Sequence, residues 1–186
     1  MLTCPHCQNR IQEDSSTCPH CALSLEGAIS LLGPVPLLNR GLTDSTQTLS
    51  EKQKKSLTTA LKRLEQNFPA HKLNIAICHF DSKFDLSTQL FWLFNTAGLS
   101  PQTSQLDSNQ DILLALDPEN QRLGLMIGYG LEPFIPKEVI ASLLELARPA
   151  LEEDDPHNAI LLIIKKLAVL LTNASQTARK TLGLYP

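Results

Sequence analysis

Apolar and polar positions change rhythm along this chain, and the changes mark out its elements. Ile112 to Leu116 is an unbroken apolar run, Asp117 to Asn120 carries turn chemistry, and Leu123 to Ile127 is apolar again. Two short runs flanking turn residues predict an antiparallel hairpin whose first strand is covered on both faces. If Asp117 faces Gln121 across the turn, Asp111 falls opposite Ile127, beside Gly128-Tyr129-Gly130. The two glycines there can take positive φ or let a ligand approach the backbone. Upstream, Leu57, Ala60, Leu61, Leu64 and Phe68 recur at helical spacing behind a capping box of Ser50 and Gln53.

Leu73 to Phe80 is apolar enough for a central strand. Asp85 is placed to cap a helix from Leu86 to Ala97, with Gly98 as its stop and Phe91, Trp92 and Phe94 as packing residues. Beyond the hairpin, Pro136 suits the first turn of a helix that turns Val139, Ile140, Leu143, Leu144 and Leu146 inward and ends before Pro149. Asp155 and Pro156 open a last helix from Asn158 to about Leu171. Strands alternating with helices predict a three-layer α/β domain with a small mixed β-sheet between helices.

The amino-terminal part follows different rules. Cys4-Pro5-His6-Cys7 and Cys18-Pro19-His20-Cys21 hold four of the five cysteines. Two thiols separated by two residues can close around one ion from a tight turn, and two such turns supply the four thiolates of a tetrahedral Zn²⁺ site. A segment this short cannot bury a core, so a structural zinc would supply its folding energy. Either His6 or His20 could displace a cysteine, but the repeat makes Cys4, Cys7, Cys18 and Cys21 the simplest ligand set; the histidines are then expected on the surface of the turns, and no position is left for an activated water. The module resembles a short zinc ribbon.

The expected organisation is therefore a zinc ribbon over residues 1–24, a linker over 25–41, an α/β domain over 42–172 and a polar tail over 173–186. Pro34 to Asn39 can add an edge strand, where proline is tolerated.

Length and charge narrow the function. A chain of 186 residues holds one medium domain and a small appendage. The net charge of −3 gives no electrostatic footprint for nucleic acid. The first residues lack the pattern of a secretory leader, and a cytosol that keeps thiols reduced suits a cysteine quartet that binds metal, so a cytoplasmic location is expected. The longest apolar run, Ala159 to Leu171, is interrupted by Lys165-Lys166 and is shorter than the roughly 20 residues of a membrane span. It is expected to be a core helix.

Candidate catalytic groups are few. Cys78 lies in the predicted central strand with His79 pointing to the opposite face, and Phe84 stands where a tyrosine-phosphatase loop needs arginine. Glu152 to Asp155 lack the alternating oxygens of a calcium loop. No phosphate-binding glycine loop, H-E-x-x-H or G-x-S-x-G elbow is present, and no catalytic residue is assigned.

The stretch IGYGLEPFIPKEVIASLL resembles the signature of the TPM domain family, small α/β domains often labelled TPM phosphatases. Asp44, Leu49-Ser50, Leu73 to Phe80, Trp92 and the loop from Asp107 to Asp111 stand where that family has an aspartate, a helix opened by Leu-Ser, a strand, a tryptophan-bearing helix and a D-N-G loop. The match departs at that loop, which here is Ser108-Asn109-Gln110-Asp111. The resemblance implies that Asp44, Asp107 and Asp111 converge near Gly128 and Gly130, as a weak hard-cation site for Ca²⁺ or Mg²⁺. The expected function is a zinc-binding adaptor that joins ribbon and TPM-like domain for a protein partner. The alternative is a metal-assisted phosphomonoesterase of the TPM type.

Overall fold

A computed structural model describes residues 2–4, 6–12, 15–33, 38–97 and 110–181. Two short strands, β1 (Leu2–Thr3) and β2 (Arg10–Ile11), pair antiparallel as a ribbon. A helix, α1 (Leu25–Leu32), follows. The larger unit then runs β3 (Leu42–Asp44), α2 (Glu51–Asn67), β4 (Leu73–Ile77), α3 (Leu86–Thr96), β5 (Ile112–Asp117), β6 (Arg122–Ile127), α4 (Lys137–Glu152) and α5 (Pro156–Thr181).

The sheet has the order β3-β4-β5-β6, with β3, β4 and β5 mutually parallel and β6 antiparallel to β5. This is the expected three-layer α/β architecture with a small mixed sheet. Strand β4 is buried along its length because both neighbours are strands and both faces are covered. Ile75, Ile77, Leu114 and Leu116 point into one core with α2, α4 and α5. Ala76, Leu113 and Ala115 point the other way, toward α3 and Ala28 of α1. That division is the period of two in a strand.

Local signals account for several helix starts. Ser50 Oγ accepts from Gln53 N–H while Gln53 Oε1 accepts from Ser50 N–H, closing the capping box on α2; such a cap contributes about 1 kcal/mol. Asp155 Oδ1 accepts from Asn158 N–H at 3.0 Å and caps α5, with Pro156 as its first residue. On α3, Asp85 occupies the cap position but gives no side-chain cap bond. Its carboxylate lies 3.5 Å from His6 Nδ1 instead.

Other boundaries differ from expectation. Residues 25–32, expected as linker, form α1, whose Ser24 cap accepts from Gly27 N–H and whose Ala28 packs in the α3 cluster. Helix α4 runs through Pro149 to Glu152. Proline inside a helix costs about 3 kcal/mol or more, and burial of Ala150 and Leu151 in the core offsets it. Leu146 is 45% exposed at the margin of the stripe formed by Leu143, Ala147 and Ala150. Helix α5 continues ten residues past Leu171 to Thr181. By length and composition Pro156–Gln176 is sufficient to cross a membrane. Ala159, Ile160, Ile163, Ile164, Leu167 and Leu171 form its core-facing stripe, while Leu161, Leu162 and Leu170 are half-buried and Val169 is 54% exposed. The expected edge strand over 34–39 falls largely on residues 34–37, which lie outside the described residues, as does Gly98; Leu38 and Asn39 are not in a strand.

Candidate metal centre

The doubled cysteine motif folds as two copies of one turn. In the first, Cys4 N–H donates to Asn9 O at 2.9 Å and Gln8 N–H donates to Cys4 O at 3.0 Å. In the second, Cys18 N–H donates to Leu23 O at 2.8 Å and Ala22 N–H to Cys18 O at 2.9 Å. Every partner is displaced by 14 positions, and so is the left-handed residue that ends each turn, Gln8 at φ 62° and Ala22 at φ 59°. An L-residue in that region costs about 1–2 kcal/mol, so each turn needs compensation from elsewhere.

The two turns bring four sulfurs together. Cys4 Sγ lies 3.7 Å from Cys21 Sγ, Cys7 Sγ lies 3.6 Å from Cys18 Sγ, and all four fall within 4.8 Å of one another. Four sulfurs held at about 2.3 Å from a central ion in a tetrahedron would be about 3.8 Å apart. The cluster therefore fits a structural Zn²⁺. Its protonation chemistry agrees. The Asn9 N–H, joined by the Asn9 amide, holds the Cys7 thiol down to about 6. At Cys21 the Leu23 N–H favours the thiolate, but burial and the neighbouring sulfurs outweigh it and push the thiol up to about 12. Four sulfurs this close repel one another as thiolates, and a bound cation would offset that repulsion.

The histidines do not join the cluster. His6 turns toward the large unit, with Nδ1 3.1 Å from Thr88 Oγ1. Lys137 of α4 donates to Gln8 Oε1 from another side. The ribbon is thus seated on the ends of α3 and α4.

The predicted acidic edge is not assembled. Asp44 pairs with Ile77, and Ile77 with Leu116, at the carboxyl end of the parallel strands. Asp111 precedes Ile112 at the opposite end, about 17 Å away along the strands at 3.3 Å per residue. The two carboxylates cannot share an ion. The resemblance implied that convergence, and parallel pairing of β3, β4 and β5 sends the two aspartates to opposite ends instead. Asp44 is engaged locally: its carboxylate accepts from Thr48 N–H, Leu49 N–H and Thr46 Oγ1–H, and Lys54 Nζ lies at 3.6 Å. These bonds close the turn into α2. Asp107, with Ser108 and Asn109, lies outside the described residues.

Asp111 does sit beside the glycine loop. The hairpin turn is one residue longer than predicted because Gln121 takes φ 49° and Asp117 pairs with Arg122, so Asp111 faces Gly128 and its carbonyl accepts from Gly128 N–H at 2.8 Å. Asp111 is buried and Gly130 is exposed. Positive φ at glycine occurs at Gly33 and Gly41, not at Gly128 or Gly130.

At the carboxyl end of the strands, Cys78 borders a cavity of about 430 Å³ shared with His79, Asp81 and Trp92. Burial, and then the charge of Asp117, push its thiol up to about 11. His79 Nδ1 lies 3.1 Å from Glu119 Oε2 rather than on the thiol.

A model of the TPM domain matches residues 42–170, well over half of the chain. The chain belongs to the TPM domain family. Solved structures of low identity share the fold, among them the following. The N-terminal domain of a P. gingivalis protein is 17% identical, with a TM-score of 0.56, covering 76% of this chain and 95% of its own. BA42 from the psychrophilic bacterium Bizionia argentinensis is 11% identical, with a TM-score of 0.59 and coverage of 72% and 88%. The N-terminal domain of cg2496 from Corynebacterium glutamicum is 16% identical, with a TM-score of 0.52 and coverage of 74% and 84%. No curated protein sequence matches the chain. The family match begins at residue 42, so the cysteine cluster and α1 lie ahead of it. Sequence reasoning missed Arg122 as the partner of Asp117. Opposite charges at the two ends of a short turn were the signal for it.

Proposed function

We propose that this TPM domain protein is a zinc-stabilised adaptor for a protein partner, working in a reducing, cytoplasmic environment. The observation that carries this reading is the seating of the cysteine cluster on the TPM domain. A metal coordinated by four thiolates has no open position for chemistry, so its effect is to fix the ribbon, whose His6 meets Thr88 and whose Gln8 meets Lys137. Ribbon and domain then present one continuous surface. The phosphomonoesterase reading would need a metal to take up charge and a positioned nucleophile, and Asp44 and Asp111, its proposed centre, stand at opposite ends of the sheet. The acidic balance gives no support to a nucleic-acid role.

Metal analysis of the purified protein, followed by phosphomonoester hydrolysis with and without Ca²⁺ or Mg²⁺, tests the proposal. One zinc per chain with no cation-dependent turnover is the expected result. Hydrolysis that requires Ca²⁺ or Mg²⁺ and disappears in Asp111→Asn would replace the adaptor with the enzyme.

A further inference from the structure

Helices α2 and α5 leave a groove between them of about 520 Å³. Its floor is apolar: Ala60 and Leu64 from α2, and Leu161, Ile164 and Ala168 from α5. Its rim is cationic: Lys52, Lys55 and Arg63 from α2, and Lys165 from α5. No acidic side chain lines it, although the chain as a whole is acidic. The acids near α2 are engaged elsewhere, Asp44 and Glu51 with Lys54, and Glu65 with Lys72. The four rim cations have no ion-pair partner among the described residues.

Like charges gathered around an apolar floor repel one another, and Ala60, Leu161 and Ala168 of that floor stay partly exposed to water, Leu64 and Ile164 being buried already. Both costs fall when a segment with an apolar stripe and flanking carboxylates fills the groove. The lining on α2 extends from Lys52 to Asn67, about 22 Å at the helical rise, the length of a helix of about four turns. Nucleic acid would meet the rim but has no apolar stripe for the floor. A bilayer takes up a protruding apolar helix face, not one recessed between two helices. We infer that the α2/α5 groove docks an acidic amphipathic helix of a partner protein. The inference rests on the adaptor reading and supplies its contact surface, by the helix-in-groove mode.

The test uses the full zinc-loaded chain and a 15-residue helical peptide with leucine on one stripe and glutamate elsewhere. Amide shifts on addition of the peptide should map to α2 and α5. Binding should weaken at least tenfold in the Lys55→Glu/Arg63→Glu double variant, weaken several-fold as salt rises from about 50 to 300 mM, and vanish for a peptide with lysine in place of glutamate. Both substituted positions are exposed, and an unchanged circular dichroism spectrum would establish that the variant folds. Shifts confined to other elements, or none at millimolar peptide, would overturn the inference. So would equal binding of a single-stranded oligonucleotide or of phosphatidylserine vesicles through the same residues. A dimer dispersed by the same double variant would instead assign the groove to a second copy, whose exposed Glu152, Glu153 and Asp154 carry the charge, and would likewise overturn it. Each of these results can be told from failure of the adaptor reading, which is reported by cation-dependent hydrolysis.

Discussion

Asp117 and Arg122 face each other across the β5–β6 turn, with Arg122 Nη2 and Nε donating to Asp117 Oδ2 at 2.7 and 3.2 Å. The pair also holds the chain leaving β4, because Nη2 donates to Phe80 O at 2.7 Å and Phe80 N–H lies 3.4 Å from Oδ2. Asn120 Nδ2 adds a bond at 2.9 Å. Asp117 is fully buried. Burial alone would raise its pKa, but the bonds from Arg122 and Asn120 and the N–H groups of Asn120 and Phe80 outweigh it and hold the carboxyl below its ordinary value.

Removing the carboxylate by Asp117→Ala leaves the guanidinium facing a buried apolar site, and should cost about 3 kcal/mol in urea unfolding. The sign of the pH dependence follows from the lowered pKa. Stabilisation from this group is fully present above the unfolded value of about 3.9 and is lost as pH falls through the lower folded value. Stability measured from pH 7 to pH 2 should therefore show an acid limb below about pH 4 that is shallower in Asp117→Asn. Equal limbs in the two proteins would show that Asp117 is not the group responsible.

One zinc per chain, held by Cys4, Cys7, Cys18 and Cys21, should be found by elemental analysis. Thiolate ligands compete with protons, so acid or a strong chelator should release the ion and unfold the ribbon while the TPM domain stays folded. Loss of the contact between His6 and Thr88 would be visible as amide shifts at the start of α3. A chelator that unfolded the whole chain would contradict this, as would less than half an equivalent of zinc after metal-replete expression.

At Gly124 of β6, α3 packs tightly on the sheet: a Cβ there would lie 2.4 Å from Leu90 Cδ1 and 3.1 Å from Leu86 Cδ2. Leu90 is buried and has little room to give way. Gly124→Val should destabilise the fold by about 1–3 kcal/mol through overpacking, despite the better strand propensity of valine. A variant as stable as the parent would mean that α3 can shift outward at no cost.

Cys78, with its thiol pushed up to about 11, carries little thiolate at neutral pH. Native protein with zinc in place should be labelled at Cys78 by a maleimide on the order of a hundredfold more slowly than a free cysteine. Cys78→Ala should change stability by on the order of 1 kcal/mol. Rapid labelling would make the neighbouring cavity a reactive site.

What could be read in advance followed the range of the interactions. The hairpin, the Ser50 box and the Asp155 cap are set by residues within a few positions of one another, so their signals are complete in the local sequence. Helix α1 was not legible because Leu25 to Leu32 is only eight residues with Gly27 near its start, and it owes its order to contact with α3, more than 50 positions away. Pro149 misled for the same reason, since burial of the next two residues overrides a local helix stop. The acidic edge failed on direction. Periodicity identifies a strand without telling which end lies beside which end of its neighbour, and Asp44 and Asp111 are separated by that choice alone. Cysteine spacing was informative because two-residue intervals nearly fix a thiol pair by themselves.

Helix α1 lies ahead of the segment that matches the TPM family, yet it covers the face of the sheet layer formed by α3. A protein trimmed to residues 42–170 would lose Ala28, Leu23, Leu32 and Leu38 from that cluster and would present apolar surface around Leu93 and Trp92 to solvent. The boundary set by family resemblance therefore cuts through the packed cluster around α3. Fragments meant to stay soluble should begin no later than Leu23, the cluster residue just ahead of Ser24, which caps α1.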